Sequence, residues 1–130
     1  EITGGEGIRV FRAVTAEEKD NGSTYPVKYS RYLLDMEETI IETDDMFEEI
    51  TGYPGSSVIH RLSQYDLVPM EDRPFYFAQV NNQFAKSNIA FLEHNLIRQD
   101  GSIIRVSCFG KRYYDSAVKS YRSEILIVRI

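Results

Sequence analysis

What this chain of 130 residues is short of constrains it first. It has one cysteine, Cys108, two histidines, four prolines and no tryptophan. A lone cysteine excludes a disulfide framework and a zinc cage of cysteines. No apolar run approaches the roughly 20 residues of a membrane helix, and no signal peptide opens the chain. Bases are outnumbered by acids, 15 to 20, which leaves a net charge of −5. Nucleic-acid binding needs a basic footprint that this composition does not supply. What is there is a globular mixture, 42% hydrophobic and 27% charged, of a size that suits one domain with its own core. The chain opens without methionine and stops inside an apolar run, so it reads as a piece of a longer protein.

Charge is unevenly spread. Asp35 to Glu49 holds eight acids and no base, whereas Arg98 to Ile130 holds seven bases and three acids. Two solvated faces of opposite sign account for this, and the alternative is an acidic face that meets a basic partner. Residues 1–29 read as an extension. Gly4-Gly5-Glu6-Gly7 is flexible, Ile8, Val10 and Val14 lean towards a short strand, and Glu17 to Thr24 is a polar linker. No internal repeat is present.

The globular pattern starts near Tyr29. Residues 31–36 and 39–43 read as two short strands around a polar turn at Glu37-Glu38. Thr43, Asp44 or Asp45 caps a helix with Met46, Phe47 and Ile50 on one face, and Gly52 ends it. Residues 54–66 are irregular, with one or two helical turns. Asp72 caps a longer helix with Pro74 in its first turn and an apolar stripe of Phe77, Val80 and Phe84. Residues 89–98 and 102–112 form a hairpin around Asp100-Gly101. After a loop over 113–120, residues 121–130 form a strand apolar on both faces, as a covered central strand is. The order predicts an α+β domain, a five-stranded antiparallel sheet with helices packed on one face.

Little chemistry is on offer. His60 and His94 are the only histidines, and no nucleophile motif supports a triad built on Ser107 and His94. The glycines at 4–7 lack the lysine and helix of a phosphate loop. Asp44-Asp45 and Glu48-Glu49 are ordinary partners of a helix start. An enzyme is not expected.

Five segments, in order and at matching spacings over residues 30–130, are similar to the motifs of one known family. Asp35-Met36-Glu37-Glu38-Thr39-Ile40 is similar to the family's D-x-x-G-x-I turn. Asp44-Asp45-Met46-Phe47 falls at its N-x-x-F, and Ile50-Thr51-Gly52-Tyr53 at its L-T-G-Y. Val68-Pro69-Met70-Glu71-Asp72-Arg73 resembles H-P-x-D-R. Glu93-His94-Asn95-Leu96 with Asp100-Gly101-Ser102 resembles the E-x-R-L…DGS hairpin. Glu38 replaces the turn glycine and Asn95 the usual arginine, and both are expected on the surface.

Together these segments resemble the PAS domains of bacterial sensor proteins, and the resemblance implies a PAS fold at 30–130 and a role in sensing and signal relay. Flavin-photosensing members carry a reactive cysteine where this chain has Ser63, within His60-Arg61-Leu62-Ser63-Gln64. Haem-binding members take a histidine from the long helix, and residues 73–87 contain none. Neither flavin nor haem is therefore expected, and no cofactor is, although an unidentified small-molecule ligand is compatible. In the family pattern the ligand pocket lies between helices and sheet. Its walls here would be Phe47, Ile50, Phe77, Val80 and Phe84 opposite Leu92, His94, Leu96, Ile104, Val106 and Cys108, with Ile125 and Ile127. The alternative is that these side chains fill each other's space.

On the opposite face Phe91, Ile97, Ile103 and Phe109 form an apolar patch beside Arg105 and Lys111. The extension or a second copy of the domain would cover it. The expectation is a homodimeric, cytoplasmic sensory module of a bacterial two-component or related signalling protein. It would control a downstream histidine kinase or diguanylate cyclase, without nucleic acid or membrane insertion. The rival is a constitutive dimerisation or protein-interaction module with a filled core.

Overall fold

The turn after the first strand is built by one side chain. Asp35 Oδ1 accepts from the backbone N–H of Glu37 and of Thr39, both at 2.9 Å, and this local grip competes with continuing the strand. Strand β1 therefore spans Tyr29–Leu34 rather than 31–36, and β2 spans Ile40–Thr43. The structure, a computed structural model, describes residues 28–130. The expected strand around Ile8, Val10 and Val14 and the linker Glu17 to Thr24 lie outside the described residues.

Helix α1 spans Met46–Thr51 and buries Phe47 and Ile50, each contributing about 1.5–3 kcal/mol by leaving water. Asp45 occupies the cap position but makes no capping bond. Its neighbour Asp44 does this instead. Asp44 Oδ1 accepts from the Met46 N–H at 3.2 Å and from the Ser30 hydroxyl at 2.7 Å, while Oδ2 accepts from the Arg31 N–H at 2.8 Å. One carboxylate thus ties the helix to β1. Gly52 closes the helix at φ +81° and donates to the Glu48 carbonyl at 2.7 Å, the left-handed ending that glycine tolerates.

A short helix α2, Gly55–Val58, and two 3₁₀ turns, Gln64–Leu67 and Met70–Asp72, follow. Helix α3 spans Arg73–Lys86 with proline in its first turn. Asp72 precedes it as expected, but its side chain does not cap. It accepts from Asn95 Nδ2 at 3.1 Å instead.

Strands β3 (Ile89–Ile97), β4 (Ile103–Asp115) and β5 (Ser120–Arg129) complete the chain. β4 runs through residues expected as loop. Tyr113, Tyr114 and Asp115 pair with Arg122, Tyr121 and Ser120, and the Tyr114 and Tyr121 rings meet edge to face at 5.3 Å. Such cross-strand aromatic pairs stabilise a ladder that polar composition alone does not announce.

The sheet is antiparallel in the order β2-β1-β5-β4-β3. β5, the last strand, lies in the middle. The register pairs Leu92 with Cys108, His94 with Val106 and Leu96 with Ile104, which sets the expected residues on the helix side. There Leu96, Ile104, Val106 and Cys108 join Tyr32, Leu34, Ile40, Phe47, Val58 and Leu67 in one core. On the other face Phe109 and Val128 are buried, while Ile103 is 52% exposed. No helix among the described residues is long and apolar enough to cross a membrane.

Candidate functional site

Helix α3 lies over the sheet on Tyr76, Val80 and Phe84, one residue per turn at spacings of four. They face Leu92 on β3, Cys108 and Gly110 on β4, and Ser123 and Ile125 on β5. Gly110 makes the approach close. A Cβ there would stand 3.2 Å from Ile125 Cδ1 and 3.7 Å from Phe84 Cζ. The space left between helix and sheet is about 20 Å³, room for a single water.

Ten of the expected pocket residues divide into three groups. Val80, Phe84, Leu92 and Cys108 line this small cavity. Phe47, Ile50, Leu96, Ile104 and Val106 pack into the main core beside it. Phe77 stands apart, its ring edge-on to Tyr65 with centroids 4.0 Å apart. The inward position is taken by Tyr76, buried and absent from the expected stripe. Its spacing of four from Val80 fits helical periodicity as well as Phe77 does, and a phenol is easily assigned to the wet side.

Tyr76 belongs to a buried polar chain. The Tyr32 hydroxyl donates to Gln64 Oε1 at 2.6 Å, and Gln64 Nε2 donates to the Tyr76 hydroxyl oxygen at 3.0 Å. The chain joins β1, the first 3₁₀ turn and α3. Burial pushes both phenols well above their ordinary pKa. Gln64 sits next to Ser63, which caps its own turn by accepting from the Tyr65 N–H at 3.2 Å.

His94 is inward, as its alternation predicts, and only 6% exposed. Its ring packs edge-on to Tyr76 at 5.0 Å. Nδ1 lies 2.8 Å from the Asn95 carbonyl oxygen, so Nδ1 carries the proton and Nε2 is the acceptor. Nε2 is buried without a partner. Burial lowers the His94 pKa, with the Asn95 carbonyl acting in the opposite sense. A second cavity, about 180 Å³, runs past His94 between Asp72, Phe75 and Tyr76 on one side and Glu93 and Arg105 on the other.

The mouth of the cleft corrects one expectation. Glu38 is not a surface replacement for glycine. Its side chain is 18% exposed and reaches to 3.6 Å from Arg112 Nη2. Burial raises its pKa, and Arg112 opposes this. Its backbone sits at φ +69°, a left-handed conformation that costs a residue with a Cβ about 1–3 kcal/mol. Two carbonyl bonds hold it there: Glu38 N–H to Asp35 O at 3.0 Å and Gln64 N–H to Glu38 O at 2.9 Å. Arg112 in turn lies 4.2 Å above the Phe84 ring, a cation–π contact. Outside this gate opens a bowl of about 330 Å³ between Met36, Glu38, Phe84, Asn88, Arg112 and Tyr121 to Ser123. Glu38, Phe84 and Ser123 border both the bowl and the inner cavity. Asn95, the other replacement, is likewise engaged, between Asp72 and Arg105 Nη1 at 3.2 Å.

Burial pushes the Cys108 thiol up to about 12, which leaves it an inert core group. Among the described residues no cluster of three or more His, Cys, Asp or Glu side chains could hold a metal ion. The inner cavity, at about 20 Å³, is far smaller than the hundreds of Å³ that an isoalloxazine ring needs.

Comparison with known proteins agrees with the geometry. The PAS fold family matches residues 40–124, more than half of the chain. No curated protein matches it. Among solved structures, a PAS domain from Colwellia psychrerythraea is similar with a TM-score of 0.71 at 16% identity, over 78% of this chain and 86% of that one. A PAS domain from a two-component sensor histidine kinase gives 0.66 at 13% identity, over 78% and 85%. A light-oxygen-voltage domain studied with a flavin analogue gives 0.67 at 18% identity, over 79% and 78%. Five antiparallel strands with helices across one face, and a family match from the start of β2 into β5, lead to one conclusion: the chain belongs to the PAS-fold family.

Proposed function

We propose that this domain is a sensory and regulatory module that relays a ligand- or partner-induced change to an output domain of a cytoplasmic signalling protein. A histidine kinase or a diguanylate cyclase is the output we favour. Kinship with PAS domains, one of them from a sensor histidine kinase, supports the reading. The observation that carries it is the position of β5. Ser123 and Ile125 wall the cleft under α3, and the same strand pairs with both β1 and β4 before ending at Arg129. Movement of α3 against the sheet bears directly on this central strand. Such coupling needs a ligand to interact differently with two arrangements of the cleft.

The second reading, a constitutive dimerisation or interaction module with a filled core, is favoured by the inner cavity of only about 20 Å³. A thermal-shift screen of free amino acids, short carboxylates, amines and nucleobases separates the two. The sensory reading predicts a stabilising compound that also slows amide exchange on β5. A screen in which no compound raises the melting temperature supports the interaction module instead.

A further inference from the structure

The bowl outside the cleft carries a pattern of charge that packing does not require. Arg112 and Arg122 both line it. Arg112 lies flat on Phe84 and stands 3.6 Å from the Glu38 carboxylate, too far for a hydrogen bond. Among the described residues its guanidinium donates to no acceptor. Arg122 is held from one side by Asp115, with Nε to Oδ2 at 3.4 Å. Ser123, only 3% exposed, lines the same space. Glu38 faces these donors from a backbone conformation that glycine would adopt freely. A carboxylate kept at such a position is a candidate for function rather than folding.

We propose that the bowl binds a small zwitterion of the α-amino-acid kind, its carboxylate on Arg112 and Arg122, its ammonium on Glu38, and its side chain between Phe84 and Tyr121. The charge balance favours this class over a simple anion. Two guanidiniums face two carboxylates, Glu38 and Asp115, so a ligand carrying both signs leaves no charge unmatched. The loose Glu38–Arg112 pair is the element that a ligand would exchange: a carboxylate takes the guanidinium in a two-point contact, and the freed Glu38 receives the ammonium. The bowl, at about 330 Å³, falls in the size range of small-molecule pockets. The proposal rests on the sensory reading above, because Ser123 and Phe84 connect the bowl to the cleft and to β5.

The test is titration of the ¹⁵N-labelled domain with the common L-amino acids one at a time. It is followed by the deaminated and decarboxylated analogues of the tightest binder. The expected result is saturable shifts at Asn88, Arg112 and Tyr121 to Ser123, with each analogue weaker by about tenfold or more, the loss of one charge-assisted contact. Arg112→Gln should weaken the amino acid by a similar factor. Glu38→Gly relaxes the backbone and so folds, and it should erase the preference for the amino acid over its deaminated analogue. The proposal is overturned if no amino acid gives saturable shifts there, if the deaminated analogue binds as tightly, or if Glu38→Gly leaves the preference intact. Amide exchange on β5, read in the same samples, keeps the two ideas separate. Binding without a change on β5 removes the sensory reading and leaves the site. A β5 response to a different metabolite, with all amino acids silent, does the reverse.

Discussion

Gln83 completes the edge of the sheet at Phe91. Its Oε1 accepts from the Phe91 N–H at 2.8 Å and its Nε2 donates to the Phe91 carbonyl at 2.9 Å, so one side-chain amide stands in for a neighbouring strand. β3 is an outer strand of the sheet, and open edges invite pairing with other chains. Gln83→Ala should cost about 1–2 kcal/mol and increase concentration-dependent association. Denaturant melts and light scattering read the two effects. Unchanged stability with unchanged scattering would show that the contact is incidental.

The Tyr32–Gln64–Tyr76 chain makes a sharper demand. In Tyr76→Phe the Gln64 Nε2 loses its acceptor while staying buried, a loss of about 1–3 kcal/mol. Phe77→Tyr, one residue along and half-buried on the other side of α3, should cost less. Urea unfolding of both variants decides the order. The reverse order would place Phe77, not Tyr76, against the sheet.

His94 gives a pH dependence. Its folded pKa is lowered from the ordinary 6.5, first by burial. The unfolded chain therefore takes the proton more readily, and the stabilisation present above 6.5 is lost as pH falls through the folded value. The slope is at most about 1.4 kcal/mol per pH unit. Asp72, Arg105 and Tyr76 face the same ring. Glu38, raised by burial, acts with the opposite sign and is unaffected by the variant. His94→Leu should flatten the stability profile just below pH 6.5. An identical profile would assign that slope to other groups.

On the outer face Phe91, Ile97 and Leu126 are half-buried and Ile103 is exposed. Association of two copies through this face predicts that Ile103→Lys shifts the domain towards monomer in sedimentation, with little change in melting temperature. A monomer before and after substitution would exclude the dimer.

The strands, α1, α3 and the faces of β3 and β4 were legible because alternation and helical period are strong over those lengths. His94 and Leu96 point inward as that alternation requires. The errors come from side chains that act on the backbone. Asp35 ends β1 two residues early, and Tyr114 with Tyr121 extends a hairpin through polar residues. Glu38 was misplaced because its role depends on Arg112, 74 residues away in the chain, which no local pattern reveals. Tyr76 and Gln64 were missed for the same reason: polar groups buried as partners carry no periodic signal.

The central claim is that the cleft under α3 and the last strand respond together. Phe84→Ala removes the ring that separates the inner cavity from the bowl and opens a space for indole, whose fluorescence no tryptophan in this chain obscures. With indole bound to that variant, amide exchange should slow along β5 from Ser123 to Ile127 as well as on α3. Slowing confined to α3, β3 and β4, with β5 unchanged, would contradict the account.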